Sequence, residues 1–132
     1  MNPFQTPGAF SWCELITTDP SAAKVFYGEV LGWRFKEGQV SENPYTVIEV
    51  EGQEIGGISP APEGMKPTWG TYVTVEDLDS TLQKVETLGG KVLIPPVSIP
   101  PASRFALIQD PQGAAIAVIS YGAFAGTKEL NE

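Results

Sequence analysis

The stretch that decides the fold reads SWCELITTDPSAAKVFYGEVLGW over residues 11–33. It opens on an apolar, β-prone segment, which predicts a strand over residues 10–18. Asp19 is placed to cap a helix, Pro20 suits its first turn, and Gly32 is placed to end it. The stretch therefore predicts a strand, a helix, a glycine stop and a second strand.

The same order of strand, helix, glycine stop and strand recurs 57 residues later in the chain. Identical pairs under this shift include Trp12 with Trp69, Thr17 with Thr74, and Gly32 with Gly89. Two more strands follow each unit, predicted at 45–50 and 54–59 in the first copy and at 104–109 and 114–120 in the second. Turn residues join each pair of strands. The fold class is therefore predicted as α+β, with two βαβββ modules whose curled mixed sheet surrounds a central cleft.

The 132 residues are expected to form one domain. The first half is predicted at about 8–60, a proline-rich linker at 60–67, and the second half at about 68–121. Residues 122–132 read as a polar, acidic tail. In the strand at 45–50, alternation predicts that Ile48 and Val50 pack under the helix while Tyr45, Val47 and Glu49 face the cleft.

Composition excludes several classes of function. The net charge is −8 and the eight basic residues form no run, which argues against nucleic acid as a partner. No apolar stretch is long enough to cross a membrane, and the N-terminus lacks a signal-peptide pattern. With a single cysteine, these features favour a cytoplasmic protein. The chain has no histidine, so imidazole chemistry is excluded.

Several motifs carry a resemblance to a known family: Trp12-x-Glu14-Leu15-x-Thr17-x-Asp19, Leu31-Gly32-Trp33, Val75-Glu76-Asp77-Leu78-Asp79 and Asp110-Pro111-Gln112-Gly113-Ala114. The sequence is similar to the vicinal oxygen chelate superfamily, which includes glyoxalase I, extradiol dioxygenases and bleomycin-resistance proteins. It looks most like the glyoxalase-like proteins of the mycobacterial 27-kDa-antigen type. The resemblance implies the two-module fold, whereas function varies widely on such folds.

The resemblance also implies four positions at which family metalloenzymes hold a divalent metal. Carried over, these positions fall on Trp12, Gly56, Gly70 and Ala117, with Trp69 as the alternative to Gly70. None of these side chains can ligate a divalent metal. The chain is therefore expected to have no metal site and no cofactor.

Strand alternation places Glu14 on the cleft face beside Trp12, which makes it the candidate for a catalytic residue or for a polar anchor of the ligand. The full set of candidate ligand-binding residues is Trp12, Glu14, Tyr45, Glu49, Trp69, Tyr72 and Arg104. Arg104 is the expected partner of Glu14, so a purely structural ion pair remains an open alternative. Trp33 is expected in the core. Cys13 is expected to face the helix, with no nucleophilic role.

Four functional hypotheses follow. The leading one is a metal-independent protein that binds a small organic ligand, cationic or aromatic, in the cleft. The alternatives are a metal-independent isomerase or lyase that uses Glu14 as acid or base, and a metal-dependent lactoylglutathione lyase or dioxygenase with atypical ligands such as Glu14 and Glu49. The last is a structural module with a filled cleft. Exposed strand edges also predict a homodimer.

Overall fold

The computed structural model describes residues 1–40 and 42–122. The elements are β1 (Phe10–Thr17), α1 (Pro20–Leu31), β2 (Arg34–Val40), β3 (Asn43–Val50), β4 (Gln53–Pro60), β5 (Thr68–Thr74), α2 (Leu78–Thr87), β6 (Lys91–Ile99), β7 (Ser103–Gln109) and β8 (Ala115–Ser120). This order confirms the α+β class and the two βαβββ repeats. Most of the expected tail, residues 123–132, lies outside the described residues. Within the described chain, neither helix has the length and apolar character needed to cross a membrane.

The chain divides into two compact units. We call residues 12–70 the first module. Its strands lie in the order β2-β3-β4-β1, with β1 parallel to β4 and the other neighbours antiparallel. β3 and β4 are joined through Glu51 and Gly52, whose φ angles of 51° and 78° match a two-residue hairpin turn.

Helix α1 begins and ends where the sequence predicts. The Asp19 carboxylate accepts a hydrogen bond from the Ala22 backbone N–H at 3.0 Å, and Pro20 occupies the first turn. Gly32 adopts a left-handed conformation with φ of 73°, which ends the helix. Ala23 and Tyr27 pack from α1 onto the core of the module, which consists of Leu15, Ile48 and Ile58.

The second module joins residues 1–11 to residues 71–122. Its strands lie in the order β5-β8-β7-β6, with β5 parallel to β8. The N-terminal segment is tied to β5 by two backbone hydrogen bonds between Thr74 and residues Gly8 and Ala9, at 2.8 and 2.9 Å. Helix α2 covers a core that consists of Leu78, Leu82, Ala106 and Val118.

The repeat carries a one-residue offset that the sequence comparison missed. Thr17 and Thr74 are 57 residues apart and are both buried at the ends of equivalent strands. The helix caps are instead Asp19 and Asp77, which are 58 residues apart, because each carboxylate accepts from the backbone N–H three residues on. The 57-residue shift pairs Asp19 with Glu76, and the structure corrects this match to Asp77, with one extra residue before α2.

Prolines at positions 95, 96, 100 and 101 predict a loop over residues 95–101, and strand β6 corrects this expectation. The strand continues to Ile99 and passes through Pro95 and Pro96. It tolerates them because it lies at the edge of the second module, where one row of backbone N–H groups has no neighbouring strand among residues 1–40 and 42–122. Its pairing with β7 also shifts register twice, between Val92 and Ile94 and between Ile94 and Val97.

Candidate ligand-binding site

The core of the first module fixes which residues face which side of its sheet. Leu15 and Ile48 are 5% and 1% exposed and pack against α1. Their strand neighbours Glu14 and Tyr45 therefore project from the opposite face, because successive side chains alternate and Tyr45 lies an odd number of residues from Ile48. This agrees with the face predicted from sequence. Val50, expected under the helix, is 39% exposed at the end of β3.

A chain of hydrogen bonds runs across this opposite face. The Trp12 indole N–H donates to the Tyr45 hydroxyl oxygen at 2.9 Å, and the Tyr45 hydroxyl donates to Glu14 Oε1 at 2.7 Å. The Ser59 hydroxyl donates to Glu14 Oε2 at 3.3 Å. All four side chains are half-buried. The site therefore presents a held carboxylate beside two aromatic rings.

Glycine at position 57 makes this arrangement sterically possible. A Cβ placed on Gly57 would collide with Oη and Cζ of Tyr45, so the ring lies directly over the Gly57 backbone. Gly57 is also the register partner of both Glu14 on β1 and Val47 on β3. It therefore sits at the centre of the site, where a larger residue would displace the tyrosine.

Sequence reasoning missed Gly57 and Ser59. The sequence does contain a signal for Gly57, because a Gly-Gly pair inside a predicted strand indicates that another group approaches the backbone closely. Ser59 offers none, because a serine near the end of a strand is common. Its role depends on β4 lying beside β1, where Ser59 is the register partner of Ile16.

Arg104 corrects the expected pair with Glu14. Its guanidinium binds the Asp79 carboxylate of α2, with nitrogen–oxygen distances of 3.3 and 3.4 Å. Arg104 shares a strand face with Ala106, which is fully buried against α2. Arg104 therefore lies on the helix-covered face of the second module.

Trp69 lies on the side of the first module that α1 covers. Its indole N–H donates to the Tyr27 hydroxyl of α1 at 3.1 Å, and its ring meets Trp33 edge-on at a centroid distance of 5.8 Å. Trp33 stacks on Tyr27 at 5.4 Å, so it packs as expected. Trp69 thus belongs to an aromatic cluster on α1, separate from the hydrogen-bonded chain of Glu14.

The other two candidates occupy different places. Tyr72 lies in the second module, in register with Ala117, and its ring meets Phe105 at 5.8 Å. That register puts it on the face opposite Val118 and therefore opposite α2. Glu49 lies in the first module where the pairing of β3 with β4 shifts register. Glu49 and Tyr72 stay candidates by position alone.

The residues at the implied metal positions do not fit a divalent metal. The Trp12 indole nitrogen is a hydrogen-bond donor with no lone pair to offer. A Cβ on Gly56 would lie 2.6 Å from the Cys13 carbonyl oxygen and 3.6 Å from Ile48 Cδ1, on the α1 side. Over residues 1–40 and 42–122, no three His, Cys, Asp or Glu side chains come together as a metal site would need. The expected lack of a metal stays a prediction.

In the first module, the carboxyl group of Glu37 has a shifted pKa. Glu37 lies on β2, which is not a neighbour of the strand β1 that carries Glu14. Lys24 of α1 donates to Glu37 of β2 at 2.8 Å. This hydrogen bond is the main reason that the pKa of Glu37 lies below its ordinary value; burial opposes the shift, and a hydrogen bond from Thr46 adds to it. Glu37 is 62% exposed, so the pair is a surface contact.

A cavity of about 410 Å³ lies in the second module. Its walls are the N-terminal segment and the ends of β5 and β8, and its lining residues are Phe4, Gln5, Pro7, Thr74, Val75, Glu76, Ser120, Tyr121 and Gly122. None of the candidate ligand-binding residues lines it. The candidate ligand-binding residues predicted from the sequence therefore lie outside this cavity.

A match to a protein-family model shows the superfamily of this chain. The model described as Glyoxalase/Bleomycin resistance protein/Dioxygenase superfamily matches residues 9–118. The chain belongs to this superfamily. This confirms the resemblance drawn from the motifs.

Two relatives show how this superfamily chain relates to longer proteins. The protein CFP32 of Mycobacterium tuberculosis, whose name provisionally describes it as a glyoxylase, is 37% identical over 131 residues, covering 95% of this chain and 50% of the relative. The anthracycline biosynthesis protein DnrV of Streptomyces peucetius is 29% identical over 141 residues, covering 92% of this chain and 50% of the relative. The chain therefore spans half the length of each.

The solved structures confirm the fold. Methylmalonyl-CoA epimerase from Mycobacterium tuberculosis matches with a TM-score of 0.64, over 93% of this chain and 95% of that one. Sequence identity in this match is 16%. At that identity the likeness concerns the arrangement of the backbone alone.

Proposed function

We propose that this superfamily member binds a small organic ligand on the face of the first module opposite α1. The observation that carries the proposal is the continuous hydrogen-bonded chain from Trp12 through Tyr45 to Glu14, at 2.9 and 2.7 Å. Half-buried carboxylates cost stability unless they are hydrogen-bonded, and this one is held in place by two hydroxyls from other strands. Such fixed polar groups beside aromatic rings are typical of ligand sites.

The chemistry of the site favours a planar aromatic molecule that carries a positive charge. Trp12 and Tyr45 offer ring surfaces for stacking, and Glu14 offers a carboxylate for a cationic hydrogen-bond donor. The net charge of −8 adds long-range attraction for a cation. The relative named for anthracycline biosynthesis supports the choice of a polycyclic aromatic probe.

The test is a titration with an amine-bearing anthracycline, followed by its own fluorescence. Glu14→Gln keeps the size of the side chain but removes its charge. We expect it to weaken binding about tenfold or more, because a hydrogen bond to a charged group contributes about 1.5–3 kcal/mol. Tyr45→Phe should also weaken binding, because it removes the hydroxyl that positions Glu14.

Glu86→Gln is the matched control. Glu86 is exposed on α2, and the substitution makes the same change in net charge. If only long-range attraction mattered, both glutamine variants would lose the same small factor. Equal affinity in wild type and Glu14→Gln would contradict the proposal.

A second candidate function uses the same carboxylate as an acid or base. The direct hydrogen bond of 2.7 Å between the Tyr45 hydroxyl and Glu14 favours it, because a proton can pass between these two groups. The test is incorporation of deuterium from heavy water into methylmalonyl-CoA, chosen because an epimerase shares the fold. Exchange that is lost in Glu14→Gln would support catalysis, and a lack of exchange above background would speak against this reaction.

A further inference from the structure

The cavity in the second module has the size of a ligand pocket. Its volume of about 410 Å³ falls within the range of about 300–1,000 Å³ that such pockets occupy. All of its lining residues belong to this one module, and none of them takes part in the hydrogen-bonded chain of Trp12, Tyr45 and Glu14. The cavity is therefore a candidate site of its own, separate from the site in the first module.

Thr74 holds the N-terminal segment that forms one wall of the cavity. The residue is 4% exposed, and its hydroxyl donates to the Pro3 carbonyl oxygen at 2.6 Å. Its backbone N–H donates to the Ala9 carbonyl oxygen at 2.9 Å, and its own carbonyl oxygen accepts from the Gly8 N–H at 2.8 Å. Because three hydrogen bonds fix this wall in advance, a ligand does not have to order it on binding.

A second wall is formed where the two modules differ in length. A single residue, Thr18, separates the end of β1 from the residue that caps α1. Two residues, Val75 and Glu76, separate the end of β5 from the residue that caps α2, and both of them line the cavity. The repeat of the βαβββ fold does not require the longer connection, so this wall is a feature of the second module alone.

The charge of the lining favours a cation. Glu76 is the negatively charged residue of the lining, and none of the described residues that line the cavity is a lysine or an arginine. Over residues 1–40 and 42–122, the ion pairs join other carboxylates to lysine or arginine and do not include Glu76. The net charge of −8 adds a long-range attraction for a cation.

Two aromatic residues of the lining define the shape of that cation. The rings of Phe4 and Tyr121 meet at a centroid distance of 5.1 Å, with their planes 76° apart. Two rings nearly at a right angle form a corner that offers a π surface on each side, which suits a compact, tetrahedral cation better than a flat ring. Methylated ammonium groups are recognised by aromatic surfaces in this way.

We propose that this cavity binds a small organic cation that carries a methylated ammonium group. The rings of Phe4 and Tyr121 contact the methyl groups, and Glu76 supplies the counter-charge. The ligand differs from that of the first module, where stacking on Trp12 and Tyr45 favours a planar ring. Binding in the cavity needs no ligand at Glu14.

The experiment is an NMR titration of the whole chain with choline, which carries a trimethylammonium group. We expect saturable shifts of the backbone amide signals of Gln5, Val75 and Ser120, with a Kd of about 1 mM or below. The neutral isostere of choline has a tert-butyl group in place of the trimethylammonium group. It should bind at least about fivefold more weakly, because it has the same shape and lacks the charge that the rings and Glu76 attract.

Two variants assign the binding to the cavity. Glu76→Gln and Phe4→Leu should each weaken choline binding at least about threefold. Glu76 is exposed and leucine keeps an apolar side chain at position 4, and circular dichroism checks that each variant is folded. Glu86→Gln is the matched control, because Glu86 is an exposed residue of α2 that does not line the cavity. It makes the same change in net charge as Glu76→Gln and should leave the Kd unchanged.

Three results would overturn the proposal. The first is a set of cavity amide signals that do not move up to about 20 mM choline, or a shift confined to the Trp12 indole signal of the other site. The second is equal affinity for choline and its neutral isostere. The third is an affinity that neither Glu76→Gln nor Phe4→Leu changes. None of them bears on the anthracycline titration at Glu14, so the two sites can fail independently.

Discussion

Substitution of Gly57 by alanine tests whether the Tyr45 ring is held where the candidate site requires it. The added Cβ would occupy the space of Oη and Cζ of Tyr45, so the ring must leave its place over β4. The departure breaks the hydrogen bonds of Tyr45 with Trp12 and Glu14. A neutral hydrogen bond contributes about 1 kcal/mol and one to a carboxylate about 2 kcal/mol, so we expect a loss of about 3 kcal/mol.

The assay is urea or thermal unfolding of Gly57→Ala beside wild type. A loss of this size lowers the melting temperature by about 10 °C for a domain of this length. Gly38→Ala is the matched control, because its Cβ would meet only the Tyr45 carbonyl oxygen at 3.8 Å. It should be neutral or slightly stabilising, since alanine restricts the unfolded chain.

A double-mutant cycle separates the collision from any other effect of the substitution. In a Tyr45→Ala background there is no ring to displace, so Gly57→Ala should cost less than about 1 kcal/mol. Two results would refute the reasoning. One is a Gly57→Ala protein as stable as wild type, and the other is an equal penalty in both backgrounds.

Three further predictions concern other parts of the molecule. Elemental analysis of protein made without a histidine tag should find far less than one equivalent of Zn, Ni, Fe or Mn, and a stoichiometric metal would contradict the donor chemistry. Glu14→Gln should lower the melting temperature only slightly, because glutamine keeps an oxygen that can accept from Tyr45; a loss of about 3–5 kcal/mol would instead indicate a purely structural carboxylate. NMR titration should find the pKa of Glu37 below its ordinary value and returned toward it in Lys24→Met. Because that pKa is lowered in the folded state, the pair stabilises the protein above the unfolded pKa, and the contribution is lost as pH falls through the folded pKa.

The elements of the fold could be predicted because their signals are local. Asp19, Pro20 and Gly32 mark the ends of α1 by capping chemistry that involves only neighbouring residues. The face on which Glu14 lies could be predicted from the alternation of side chains along the strand, because only one face of β1 carries fully buried residues. The continuation of β6 through Pro95 could not be predicted, because its tolerance depends on the strand being at an edge, which is a property of the whole sheet.

The partners within the site were beyond sequence reasoning for a physical reason. In β7, both phases carry apolar residues, with Arg104, Ala106 and Ile108 on one face and Phe105 and Leu107 on the other. Periodicity therefore cannot tell which face packs on α2, and the predicted position of Arg104 beside Glu14 is wrong. The contact of Tyr45 with Glu14 joins residues 31 positions apart, and only the strand register brings them together.

The most direct test of the central claim uses the three tryptophan indole N–H signals in a ¹H–¹⁵N NMR spectrum. Trp12 lies in the hydrogen-bonded chain of the candidate site, while Trp33 and Trp69 pack together at α1 and serve as internal references. On addition of the amine-bearing aromatic probe at constant protein concentration, we predict a saturable shift of the Trp12 signal alone, lost in Glu14→Gln. A shift of the Trp33 and Trp69 signals with Trp12 unmoved, or a Trp12 shift that persists in Glu14→Gln, would contradict the account.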